Sequence, residues 1–130
     1  MLQHFKKTLL VCADSCEEVE QCLTRAGCIV TKVSNGDLAV YRIRREIFDA
    51  AVLVSTGKEM DLAETVFNLR DIRSSTEIVI VTDCADASGS VIKKIAATVP
   101  NTITLNLHGL EVLLEAFRTQ AQGTTKAFNG

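Results

Sequence analysis

The side chains able to do chemistry fall into two groups. The first is sulfur, at Cys12, Cys16, Cys22, Cys28 and Cys84. A thiolate can act as a nucleophile or a metal ligand. The count is odd, no C-x-x-C pair occurs, and neither His4 nor His108 is near a cysteine in sequence, so the spacing of a zinc site is absent. The five therefore read as reduced, partly buried thiols serving as small hydrophobes, and a redox sensor has only their number behind it. The second group is oxygen at the ends of apolar runs. Asp14 follows LLVC, Ser55 follows AAVLV, Thr82 and Asp83 follow IVIV, and Asn106 lies near the end of ITLNL. A carboxylate there can hold a hard divalent cation, whereas an amide carries no charge. Asp14 is equally a helix N-cap, which is the simpler reading.

Positioning those residues requires elements that repeat. Short apolar runs alternate with amphipathic segments through the whole chain. Leu9–Cys12 predicts a first strand. Asp14 and Ser15 offer caps for a first helix, Ser15 with Glu18 fits a capping box, and Val19, Cys22, Leu23 and Ala26 share one helical face up to the stop at Gly27. Cys28–Val33 is a second strand, and Asp37 after the Asn35-Gly36 turn can cap a second helix over Leu38–Ile47. Ala50–Val54 is continuously apolar, as in a strand buried on both faces of a parallel sheet. A third helix from about Asp61 carries Leu62, Val66 and Leu69. Ile78–Val81 is the fourth strand, Ala87–Thr98 a weaker helix ended by Pro100, and Ile103–Leu107 the fifth strand. Leu110, Leu113, Leu114, Phe117 and Ala121 make a last helical stripe.

This alternation predicts right-handed βαβ crossovers and a three-layer, doubly wound α/β domain: a five-stranded parallel sheet of order 2-1-3-4-5 with five helices. The domain spans residues 1–122, and residues 123–130 form a flexible tail or linker without periodicity. At 130 residues, 47% hydrophobic and 23% charged, the chain is the size and composition of one globular domain. A net charge of −2 gives no nucleic-acid footprint. No apolar run nears the ~20 residues of a bilayer span, and no signal peptide precedes the first strand, so a cytoplasmic protein without membrane contact is expected. Arg42, Arg44 and Arg45 read as a solvated helix face beside Glu46 rather than as a patch for an acidic partner. His108 reads as a surface histidine.

In such a sheet a site lies outside the carboxyl ends of the strands. There the chain resembles the receiver domain of response regulators, the CheY-like version of the flavodoxin-like fold. The stretches that carry the likeness are KTLLVCADS, NGDLAVYRIRREIFDAAVLV, the MD of GKEMD, IVIVTD and LNLHGLEVLLEAF, over roughly residues 6–118. The resemblance implies a two-component signal-transduction module in which a strand-3 aspartate takes a phosphoryl group. Two acids after strand 1 help that aspartate hold Mg²⁺, and a hydroxyl after strand 4 and a strand-5 lysine contact the phosphoryl oxygens.

Mapped onto this chain, the acid pair falls on Ala13-Asp14 and the nucleophile on Val54, a register anchored by Phe48-Asp49 and Met60-Asp61. The hydroxyl falls on Thr82 and the lysine on Asn106, with Leu107 in place of the proline that usually follows. Valine has no nucleophilic atom, and a neutral amide does not replace the cation. The resemblance thus implies a pseudo-receiver: no enzyme, no catalytic residue, no cofactor, and no resident metal beyond a residual candidate ligand in Asp14. Thr82 is equally an ordinary β-branched strand end. A register slip would bring Ser55 to the nucleophile position without a general base. Function would then rest on a protein partner or homodimer engaging the helix 4–strand 5–helix 5 face, with Val91, Ile103, Leu110 and Leu114 as candidate contacts. The alternatives are a receiver with weak residual metal or phosphate binding, and a cysteine-dependent phosphotransfer enzyme. In the latter, Cys12 before a helix is similar to phosphotransferase-system IIB subunits and low-molecular-weight phosphatases, but the loop carries Asp14, Glu17 and Glu18 and lacks their arginine.

Overall fold

A continuous apolar run can face two ways at once, because successive strand residues alternate sides. In the computed structural model, which describes residues 6–13, 16–55, 59–82 and 94–117, this divides the core. Leu10, Ala50, Val52, Val79 and Val81 point to one side of the sheet; Leu9, Ala51, Leu53, Ile78 and Ile80 point to the other. The strands are β1 (Lys7–Val11), β2 (Ile29–Val33), β3 (Ala50–Val54), β4 (Glu77–Val81) and β5 (Thr102–Leu105). All pair in parallel, in the order β2-β1-β3-β4-β5.

Helices cover both faces. On the first lie α1 (Glu17–Arg25), with Val19, Cys22 and Leu23 buried, and α5 (residues 107–117), with Leu110, Leu114 and Phe117 buried. On the second lie α2 (Gly36–Arg45), α3 (Glu59–Ile72) and α4, described over residues 94–98. These contribute Ala39 and Ile43, then Leu62, Val66 and Leu69, then Ile95. The expected order 2-1-3-4-5 and the five helices are therefore present. The chain boundary expected at residue 122 lies outside the described residues.

Element ends differ from expectation where side chains compete for caps. α2 begins at Gly36, and its cap is Asn35, whose Oδ1 accepts from Leu38 N at 2.8 Å, rather than Asp37. The chain passes α3 so closely at Gly36 that an added Cβ would collide with Thr65 Oγ1. α2 stops at Arg45 because Glu46 is extended, which leaves Ile47 69% exposed. α1 begins at Glu17 with Cys16 at the cap position, whose side chain makes no cap bond, and Ser15 of the expected capping box lies outside the described residues. Cys16 is instead buried in the apolar layer, and Glu17, Glu18 and Glu20 supply negative charge to the first turn. Gly27, at φ 92, closes that helix as expected. β5 ends at Leu105, and Asn106 turns out of the strand to start α5.

Candidate functional site

Register brings the strand ends together. Val11 pairs with Leu53, Val54 with Val81, and Val81 with Leu105. The backbone continues the ladder one step further: Ser55 N donates to Val81 O at 2.8 Å and Thr82 N to Leu105 O at 2.9 Å. Val54, Ser55 and Thr82 therefore share one edge of the sheet, each half-buried. Asp14 and Asp83 lie outside the described residues. Ala13, the first half of the expected acid pair, is exposed and carries no side-chain ligand atom.

Asn106 is at the same edge but is already engaged. Its Oδ1 accepts from Gly109 N at 2.7 Å and its carbonyl from Leu110 N at 3.0 Å, so the residue is the N-cap of α5. The position where the resemblance implies a phosphoryl-binding lysine thus serves helix initiation.

Two hollows flank Val54 and Ser55. The larger, about 510 Å³, opens between the ends of β1 and β3 and the start of α2 and α3; its polar lining includes Asn35, Asp37, Glu64, Thr65 and Asn68. The smaller, about 250 Å³, lies between α1 and the ends of β3 and β4 and is lined by Cys16, Glu17, Glu18, Val81 and Leu107. The charged side chains among the described lining residues are all acidic: Asp37 and Glu64 in one hollow, Glu17 and Glu18 in the other. A phosphoryl group, which carries up to two negative charges, would meet repulsion in both.

Mg²⁺, the ion implied by the fold family, needs several hard oxygen ligands. The side chains of Ala13 and Val54 offer none, and among the described residues no group of three His, Cys, Asp or Glu could hold a metal. The described residues therefore do not fit the ion.

The sulfurs of Cys12, Cys16, Cys22 and Cys28 gather in the α1–α5 layer, where all four are buried. Cys12 is 3% exposed and faces the apolar layer. Burial, together with a hydrogen bond to the Cys12 sulfur, pushes the Cys16 thiol up to about 12. Desolvation likewise raises Cys22 and Cys28. Cys12 stands out in the sequence as the thiol that precedes a helix, whereas the place of Cys16 at the smaller hollow does not. Their i, i+4 placement across a strand-to-helix turn is the signal that singles out Cys12 and Cys16.

On the expected partner face, Val91 lies outside the described residues. Leu110 and Leu114 are 0% and 3% exposed and pack in the core, because the α5 stripe that faces the sheet is its most apolar one. Surface apolar area there comes from Ile103, 40% exposed, and Val112, 55% exposed. Arg42 pairs with Glu46 at 2.8 Å and Arg45 lies 3.9 Å over the Tyr41 ring, so these cations are occupied on a solvated face. His108 is exposed.

The fold is that of CheY-like receiver domains. A receiver domain from Methanospirillum hungatei is 17% identical and superposes with a TM-score of 0.67, over 95% of this chain and 98% of that one. A chemotaxis response regulator of Vibrio cholerae is 21% identical, with a TM-score of 0.68 over 86% of this chain and 98% of that one. A Burkholderia pseudomallei response regulator, solved with a phosphorylated aspartic acid, a calcium ion and citrate, is 15% identical, with a TM-score of 0.67 over 96% of this chain and 75% of that one. No family model and no curated protein sequence matches the chain.

Proposed function

We propose that this chain is an atypical receiver-like domain of two-component signalling that works through protein contact and is not phosphorylated on aspartate. The observation that carries the reading is Val54 at the carboxyl end of β3, half-buried between two hollows whose described charges are all acidic. A phosphoacceptor must supply an oxyanion and have a cation opposite it. Here the first position is a valine, and Asn106 is spent on capping α5. The chain is accordingly no enzyme and uses no Mg²⁺. Burial of Cys12 within the apolar layer speaks against a thiolate phosphotransferase, since the nucleophile must reach its donor.

Output then passes to a protein partner or a second copy through α4, β5 and α5, where Ile103 and Val112 are the exposed apolar contacts. This domain makes no nucleic-acid or membrane contact, in line with its net charge of −2, and works in the cytoplasm. No helix among the described residues is long and apolar enough to cross a membrane. The test is incubation with acetyl phosphate and Mg²⁺ followed by intact-mass measurement under mild conditions. The reading expects no phosphoryl adduct. An acid-stable, hydroxylamine-cleaved adduct would contradict it, and an adduct lost on Cys12→Ser would turn the assignment to thiol chemistry.

A further inference from the structure

The larger hollow, about 510 Å³, lies within the ~300–1,000 Å³ range of small-molecule sites. Packing sets one of its walls in advance. Gly36 approaches Thr65 too closely to carry a side chain, and Asn35 Oδ1 fixes the start of α2 by accepting from Leu38 N at 2.8 Å. The apolar part of the lining comes from the buried side chains of Val11, Leu53 and Leu62. Two exposed carboxylates share the space, Asp37 in the first turn of α2 and Glu64 on α3. Neither makes a salt bridge among the described residues, and no described lining residue is basic.

We propose that this hollow is a binding site for a small aliphatic diamine, whose methylene chain lies on Val11, Leu53 and Leu62 and whose ammonium groups pair with Asp37 and Glu64. Charge decides against an anion. The amino end of a helix favours negative charge, but here the first turn of α2 already carries Asp37, and Leu38 N is taken by Asn35. Ligand number decides against a divalent metal ion. Such an ion needs more hard oxygens than two carboxylates supply, and among the described residues no group of three His, Cys, Asp or Glu could hold one. An ammonium group needs only opposite charge and hydrogen-bond acceptors, and both carboxylates provide them. The apolar lining then separates an alkyl amine from a bare cation, because only the former takes methylene groups out of water. Val54 and Ser55 line this hollow as well as the smaller one, so a bound diamine would touch the carboxyl end of β3. The site stands on the cavity and its charges, and holds whether or not the chain signals as proposed above.

The experiment titrates the full chain with putrescine at constant pH and ionic strength and follows the amide NMR signals. The full chain keeps Asp14 and Lys58, which lie outside the described residues, in place. The proposal predicts saturable shifts at Gly36, Asp37, Ser55 and Thr65. Butanediol, which has the same carbon chain without charge, and succinate, which has the opposite charge, should give none, and butylamine, with one ammonium group, should bind more weakly. Asp37→Asn combined with Glu64→Gln should weaken putrescine by about tenfold or more, the loss expected for a charge-assisted contact, and each single change by part of that. Both positions are exposed, and circular dichroism checks that the fold is kept. Glu77→Gln removes one negative charge at the opposite end of the sheet, where β4 begins, and should leave the affinity unchanged. The absence of a saturable shift at millimolar putrescine would overturn the proposal. So would equal binding of butanediol, butylamine or succinate, or undiminished affinity in the folded double variant.

Discussion

Placing a carboxylate at Val54 tests the electrostatics of the pocket directly. Val54→Asp exchanges a half-buried apolar side chain for a charged one beside the hollow lined by Glu17 and Glu18. Losing about half of a valine's burial costs ~1 kcal/mol. The new carboxyl is also partly desolvated and faces like charges, so its folded pKa rises above the usual value of about 3.9. Each unit of rise is worth about 1.4 kcal/mol, so a rise of about one unit brings the loss at neutral pH to roughly 2–3 kcal/mol. The sign follows from proton binding. A carboxyl raised in the folded chain holds its proton more tightly there than in the unfolded chain. The charge penalty is therefore absent below the unfolded value, grows as pH rises, and is complete above the folded value. Urea denaturation of parent and variant across this range measures the difference. It should be largest at neutral pH and fall to the apolar part in acid. A difference independent of pH would mean that the new carboxyl titrates as it does in the unfolded chain, a variant more stable at neutral pH than its parent would mean that a cation faces Val54, and either would refute the electrostatic reasoning.

Other outcomes follow from single contacts. Asn35→Ala removes the α2 cap bond at 2.8 Å and should cost about 1 kcal/mol in chemical denaturation, with Asn35→Asp retaining most of it. Leu110→Ala, fully buried beneath α5, should cost about 2–5 kcal/mol, whereas Val112→Ala on the exposed side of the same helix should leave stability nearly unchanged while weakening any partner or self-association read by ultracentrifugation. The Cys16 thiol, pushed up to about 12 by burial and the Cys12 contact, keeps its proton in the folded chain when the unfolded chain has lost it. Stability from this group is thus complete below its ordinary value of 9.0 and lost as pH rises toward about 12, and Cys16→Ala should flatten the stability profile in that window.

Much of the fold was legible because apolar periodicity reports burial. The run Ala50–Val54 matches β3 residue for residue, since a strand covered on both faces has no other composition available. Helix starts were less legible, since several adjacent residues could cap and only tertiary packing selects one. Asn35 wins over Asp37 because the close passage of Gly36 past Thr65 sets where α2 begins. Cys16 takes the cap position of α1 because its side chain belongs to the apolar layer. Asn106 was seen as a missing cation and proved to be a cap, a role visible only once β5 ends at Leu105. Leu110 and Leu114 were placed on a partner face although their spacing already marked them as core, and the structure buries both.

Amide NMR of the full chain with Mg²⁺ and beryllofluoride probes whether the receiver fold here has lost its aspartyl-phosphate switch. No saturable shift is expected at Val54, Ser55, Thr82 or Asn106. Saturable, Mg²⁺-dependent shifts at these residues would contradict it and show that the pocket still holds a phosphoryl group and its metal.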